Sequence, residues 1–136
     1  MSTAGYSGTP LPAKLGFRPG MRAHLSNAPE NFDALLGDLP GGVRVLARPA
    51  PDLDLVVLFV RERRELQRRL PGLQAKLTSA GMIWVAWPKR ASKVPTDMTE
   101  DVVRDIALPR GLVDVKVCAI DETWSGLKLV TRLENR

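Results

Sequence analysis

Two stretches, "DLVVLFV" at 54–60 and "MIWVAW" at 82–87, are apolar at nearly every position. A strand with one wetted face alternates apolar and polar residues, so a run without alternation suits a strand covered on both faces. Between them Leu66, Leu70, Leu73 and Leu77 stand four, three and four apart. That spacing predicts one helical stripe within 61–79, kinked or divided at Pro71. A strand, a helix and a second doubly covered strand make a parallel βαβ unit. The chain is thereby committed to a sheet with helices on both faces.

The remaining elements extend this unit. "MRAHLS" (21–26) reads as a first strand, and "PENFDALLG" (29–37) as a short helix with Pro29 at its first position. "VRVLA" (43–47) reads as the second strand. Thr99 has the character of an N-cap, with Glu100 and Asp101 suited to the positive end of the helix "EDVVRDIA". "LVDVKVCAI" and "LKLVTRL" are strands joined by "DETWSG" (121–126), a link short enough to force a hairpin. The expected fold is a three-layer, Rossmann-like α/β sheet of about six strands, mostly parallel, ending in an antiparallel hairpin.

The length of 136 residues suits one domain. An extended arm is expected over 1–20, where four glycines and three prolines resist regular structure and Tyr6 and Leu11 give it something to bury. The α/β domain is expected over 21–136. One cysteine, Cys118, excludes an internal disulfide, and with one histidine, His24, it cannot complete a zinc site. A carboxylate-only magnesium site stays open, but nothing in the spacing demands one, and no metal is expected. The start of the chain has neither the basic residues nor the apolar stretch of a secretory signal, and no run approaches the ~20 residues of a membrane span, so the cytoplasm is the expected compartment. The net charge of +5 permits anionic partners.

Two resemblances follow from particular phrases. "YSGTPLPAKLG", "IWVAWPKRAS" and "TEDVVRDIALPRGLVDVKVCAIDETWSGLKLV" resemble an uncharacterised bacterial family known only as a domain of unknown function. At fold level, "LGFRPGMRAHL" is similar to the lead-in and first strand of class I S-adenosylmethionine-dependent methyltransferases. "DLDLVVLFV", the leucine-striped helix and "LTSAGMIWVAWP" resemble their fourth strand, following helix and fifth strand, and the hairpin resembles their last two strands. The resemblance implies a shortened methyltransferase-like sheet, missing one helix and one strand after "VRVLA", in the order 2-1-3-4-6-5. It departs from those enzymes at the cofactor. Their glycine-rich loop after the first strand is here "SNAPENF", and their ribose-binding acid at the end of the second strand is replaced by Ala47 and Arg48. Side chains crowd the first approach and the wrong charge meets the second, which argues against ordinary S-adenosylmethionine binding. No cofactor is expected.

In such a sheet ligands bind beyond the carboxyl ends of the strands, where the strand order reverses. Ser26, Asn27 and Glu30 after the first strand and Arg61 after the third are expected on that rim. Trp87, Lys89, Arg90 and Lys93 lie further along, with Asp121, Glu122, Thr123 and Trp124 at the hairpin. Three cations within five residues suit a phosphate or carboxylate, although exposed Lys and Arg are also what any solvated loop carries. Asp, Thr and Ser are common turn formers, so the hairpin cluster has a purely structural reading, with Trp124 covering the sheet end. "RERRELQRR" (61–69) is the densest basic segment, but Glu62 and Glu65 can pair with arginines three or four positions on, and no aromatic residue accompanies it.

The favoured reading is a binding or interaction module for a small anionic ligand, with no catalytic residue assigned. One alternative is an enzyme using the same crevice with an unusual cofactor geometry. Another is a basic nucleic-acid or protein adaptor, whose nucleic-acid binding would be non-specific.

Overall fold

The computed structural model describes residues 9–136. Its centre is β3 (Leu53–Phe59), where every side chain from Leu55 to Phe59 is fully buried. β1 (Arg22–Ser26) and β4 (Leu77–Pro88) pair with it on either side, both parallel. β2 (Arg44–Leu46) lies parallel outside β1. β6 (Trp124–Thr131) runs antiparallel to β4 and to the last strand, β5 (Leu112–Ala119). The order is β2-β1-β3-β4-β6-β5, the shortened methyltransferase-like arrangement expected above.

The lack of alternation in β3 and β4 is explained by two cores, one on each face. Val56, Leu58, Ile83, Val85 and Trp87 pack beneath α3 (Arg63–Gln74) and α4 (Glu100–Ala107). Leu55, Val57, Phe59, Trp84 and Ala86 pack on the other side, against α1 (Leu11–Leu15) and α2 (Phe32–Leu36). Thr99 caps α4 by accepting the amide of Val102 at 3.1 Å, and Glu100 and Asp101 fill its first turn. Arg104 then ties α4 to β5, holding Glu100, Asp101 at 3.2 Å and Asp114 at 3.0 Å.

Several local expectations are corrected. Within the supposed extended arm, Leu11–Leu15 is helical, Leu15 and Phe17 are buried, and Leu15 O accepts the indole N–H of Trp84 at 2.8 Å. A domain boundary at residue 21 would thus divide a core. Pro12 sits in the first turn, where its missing N–H costs nothing, and Gly16 ends the helix at φ 93°. Tyr6 and the rest of 1–8 lie outside the described residues. α2 begins at Phe32, not Pro29, because Pro29 forms a preceding turn whose carbonyl takes the amide of Phe32 at 3.0 Å.

α3 runs unbroken through Pro71, close enough to its end that little ladder remains to disrupt. Leu77 leaves the helical stripe to begin β4, opposite Leu53. β4 therefore starts five residues early. From there to the Leu55–Met82 pair β3 advances two residues and β4 five, so the surplus bulges out. Gly81 belongs to that bulge, and a Cβ there would sit 2.9 Å from Leu53 O. The hairpin link is also shorter than "DETWSG", since Trp124, Ser125 and Gly126 already belong to β6.

Candidate functional site

The carboxyl ends of β1, β3, β4 and β5 share one edge of the sheet, and the predicted site residues fall into three groups along it. The first group surrounds the order reversal between β1 and β3. Asn27 adopts a left-handed backbone, φ 61°, which turns its side chain across the gap. Its Nδ2 donates to Phe59 O at 3.3 Å and to Glu65 Oε2 at 3.5 Å, while Glu65 Oε1 accepts the amide of Arg61 at 3.0 Å. Glu65 thus serves the crevice instead of forming the helix-surface ion pair expected of it, because two nearby polar donors need an acceptor. Below lie Phe32, Phe59 and Trp124, packed edge to face with centroids 4.9 and 5.0 Å apart. Phe59 is fully buried and its two partners nearly so. The reversal is spanned by the chain's own side chains. Ser26 is buried beside it, and Glu30 is exposed on the turn before α2.

The second group is the hairpin. Asp121 Oδ1 accepts the amides of Thr123 and Trp124 at 2.8 and 2.7 Å, closing the turn as an Asx motif. Thr123 O receives the amide of Lys89 at 2.7 Å, Glu122 is exposed, and Trp124 is turned into the core. Asp121 and Glu122 do not form a carboxylate pair facing a common space.

The third group does enclose space. After Pro88 the chain makes a 3₁₀ turn, Arg90–Ser92, and Lys93 takes a left-handed conformation at φ 63°. Ser92 Oγ donates to Lys89 O at 2.6 Å and accepts the amide of Val94 at 3.2 Å. The rest of the loop is pinned to the start of α3. Thr96 Oγ1 donates to Arg61 O and accepts the amide of Met98 at 3.0 Å, and Asp97 accepts the amide of Arg63 at 2.7 Å. Beneath this loop is a cavity of about 550 Å³. Trp87 and Ser125 line it from the sheet, Lys89, Arg90 and Lys93 from the loop, and Thr99 and Glu100 from the start of α4. So Trp87, Lys89, Arg90 and Lys93 come together, apart from Ser26, Asn27, Glu30 and the hairpin acids. Arg61 lies between the groups, exposed, with its backbone carbonyl holding the loop.

The charge of this cavity is set by which lining groups are already engaged. Asp97 is turned to the first amide of α3, and Glu100 is held by Arg104. Arg90 and Lys93 form no ion pair among the described residues. Trp84 spends its indole N–H on Leu15 O. Trp87, nearly buried, lines the cavity from the sheet. Sequence reasoning missed Ser125, Asp97 and Glu100 as wall residues, although the Thr99 cap already placed the start of α4 just beyond the cationic turn.

Elsewhere, His24 is buried with Nδ1 2.8 Å from Leu46 O. The Cys118 thiol is half-buried, and burial pushes it up, against the opposing pull of Lys14 and Lys116. Among the described residues no group of three or more His, Cys, Asp or Glu side chains could hold a metal, and no helix is long and apolar enough to cross a membrane.

A family profile described as a protein of unknown function (DUF3052) matches residues 45–133. The whole cavity lies inside that span, whereas β1 and the turn after it lie outside. No curated protein matches the chain. Among solved structures the chain is similar to TrmN from Thermus thermophilus, with a TM-score of 0.58 and 15% identity over 90% of this chain and 47% of that one. It is also similar to a SAM dependent methyltransferase from Aquifex aeolicus, with a TM-score of 0.58 and 14% identity over 86% and 85% of the two chains. The B. subtilis M1A22 tRNA methyltransferase TrmK gives 0.57 and 10% over 93% and 67%. At such identities the likeness is one of fold. The chain spans less than half the length of the Thermus protein.

The fold makes S-adenosylmethionine the implied cofactor, and the residues here do not fit it. The turn after β1 carries Asn27 across the crevice, Phe32 and Trp124 pack against Phe59 below it, and Arg48 stands exposed where an acid would hold the ribose. The groups that would have to make room are hydrogen-bonded or core.

Proposed function

The chain belongs to the DUF3052 family of proteins of unknown function, and we propose that it is a binding module for a small anionic ligand. The methyltransferase-like sheet serves as scaffold, and the ligand sits at the carboxyl end of β4. One observation carries this reading: the cavity under the 89–99 loop gathers Trp87, Arg90 and Lys93 while its two carboxylates are engaged elsewhere.

The chemistry follows from that lining. A volume of about 550 Å³ is that of a small-molecule site. Arg90 and Lys93 supply charge-assisted donors to a phosphate or carboxylate, and Trp87 supplies an aromatic wall. Asp97 and Glu100 limit how much negative charge is welcome, which favours a compact anionic group on a larger polar body. The two carboxylates of the lining are engaged by the Arg63 amide and by Arg104, and no hydrogen-bonded nucleophile–base pair faces the cavity among the described residues, so the reading is one of binding. The sulfonium of S-adenosylmethionine would meet a cationic rim here.

A thermal-shift series tests the reading with pyrophosphate, sugar phosphates, nucleotides and S-adenosylmethionine. A ligand at about 100 times its Kd adds about 2.7 kcal/mol to the native state. At least one phosphorylated compound should raise the melting temperature, and Arg90→Ala with Lys93→Ala should abolish that rise while leaving the unliganded protein unchanged. A rise with S-adenosylmethionine alone would overturn the reading.

A further inference from the structure

A second cavity, independent of the first, opens on the α3 side of β1. No helix separates β2 from β3 in the chain, and the flank of α3 alone stands over this part of the sheet. The space left is about 210 Å³, lined by Ser26, Pro49, Arg69, Gly72 and Leu73. Three of these five are apolar or lack a side chain. The two polar ones converge, for Arg69 Nη1 donates to Ser26 Oγ at 3.0 Å.

Both polar groups are incompletely satisfied. Arg69 Nε is buried without an acceptor, and no carboxylate pairs with this guanidinium among the described residues. Glu65, one helical turn earlier, is turned away to Asn27 and to the amide of Arg61. Ser26 is only 5% exposed. Its hydroxyl oxygen accepts from Arg69, and its proton finds no acceptor among the described residues. A buried hydroxyl with a spare proton beside an unneutralised guanidinium is a receptor for one oxyanion.

We propose that this cavity binds a small monocarboxylate, with its carboxylate on Arg69 and Ser26 and a short apolar body against Pro49 and Leu73. One guanidinium balances one carboxylate, whereas a phosphate dianion would keep an uncompensated charge against apolar walls. The volume lies below the usual range for drug-sized ligands, which limits the body to a few carbons.

Gly72 provides a clean block. A Cβ built there meets nothing within 4 Å, and the residue lies inside α3. Gly72→Leu therefore adds an apolar side chain at the cavity wall with open space around its first carbon, and improves helix propensity. The test is ligand-observed NMR and thermal shift with butyrate, valerate, butyramide and octanoate at about 10 mM, a concentration that detects millimolar affinity. Butyrate or valerate should bind the unmodified chain, and butyramide and octanoate about tenfold more weakly. Gly72→Leu and Arg69→Gln should each lose that binding, while Arg90→Ala with Lys93→Ala should keep it. Circular dichroism verifies that each variant is folded, and Gly72→Leu stands alone if Arg69→Gln is not. No binding by the unmodified chain, or binding indifferent to Gly72→Leu, would overturn the proposal without touching the cavity at β4.

Discussion

The β1–β3 reversal and the end of β4 are neighbouring parts of one sheet edge with opposite outcomes. At the reversal, Asn27 and Glu65 bridge the gap and three aromatic rings fill the space beneath. At β4 the following loop is held off the sheet by bonds from Thr96 and Asp97 to the start of α3, leaving a cavity floored by Trp87. Topology marks the first place as the usual site in a sheet of this kind. Side chains bridge the first and leave the second open. A strand order thus says where an edge offers backbone ends, and side-chain volume decides which of those ends can receive a ligand.

The largest effect that can break this comparison is the removal of the aromatic plug. Trp124→Ala should cost about 3 kcal/mol, because a nearly buried indole in contact with Phe59 leaves a cavity the sheet cannot collapse into. Urea titration measures it. A loss under about 1 kcal/mol would mean that the rings under the reversal are not well packed.

Next comes the turn that delivers Trp124. Asp121→Asn keeps an oxygen for the amides of Thr123 and Trp124 but loses the charge, and should cost under about 1 kcal/mol. Glu122→Gln, at an exposed site, should change stability by less than about 0.5 kcal/mol. The same titrations show whether the hairpin acids belong to the fold, as the bonds of Asp121 indicate. A ligand response lost in either variant, with stability intact, would move the site to the hairpin.

The smallest effect concerns the wall of the open cavity. Arg104 holds α4 to β5, and its hydrogen bond keeps the Asp114 carboxyl below the ordinary range. A carboxyl depressed on folding stabilises above its unfolded pKa of about 3.9, and that contribution fades as pH falls through the folded value. Asp114→Asn should therefore be slightly less stable than the unmodified chain at pH 6, and the gap should close at acid pH. A gap that does not narrow as pH falls would assign the difference to packing.

What could be read from the sequence divides along the range of the interactions. β3 and β4 were legible because their covering on both faces is written residue by residue in "DLVVLFV" and "MIWVAW". The cations at 89–93 were legible because they follow the end of a strand directly. The early start of β4 was hidden, since it depends on Leu77 meeting Leu53 rather than on local pattern. The helix at Leu11–Leu15 was hidden by glycines and prolines that turn out to flank it or sit in its first turn. The closure of the reversal was the least legible of all. Asn27 and Glu65 are 38 positions apart, and each alone looks like an ordinary turn or helix-surface residue.

The most direct measurement is a pair of amide NMR titrations, one with pyrophosphate and one with S-adenosylmethionine. Binding at the end of β4 predicts that pyrophosphate moves the Trp87 indole N–H and the amides of Arg90, Ser92 and Lys93, and that S-adenosylmethionine moves none of the resonances. Movement of the Asn27 to Phe32 amides by S-adenosylmethionine, with the Trp87 indole unmoved by either compound, would contradict it.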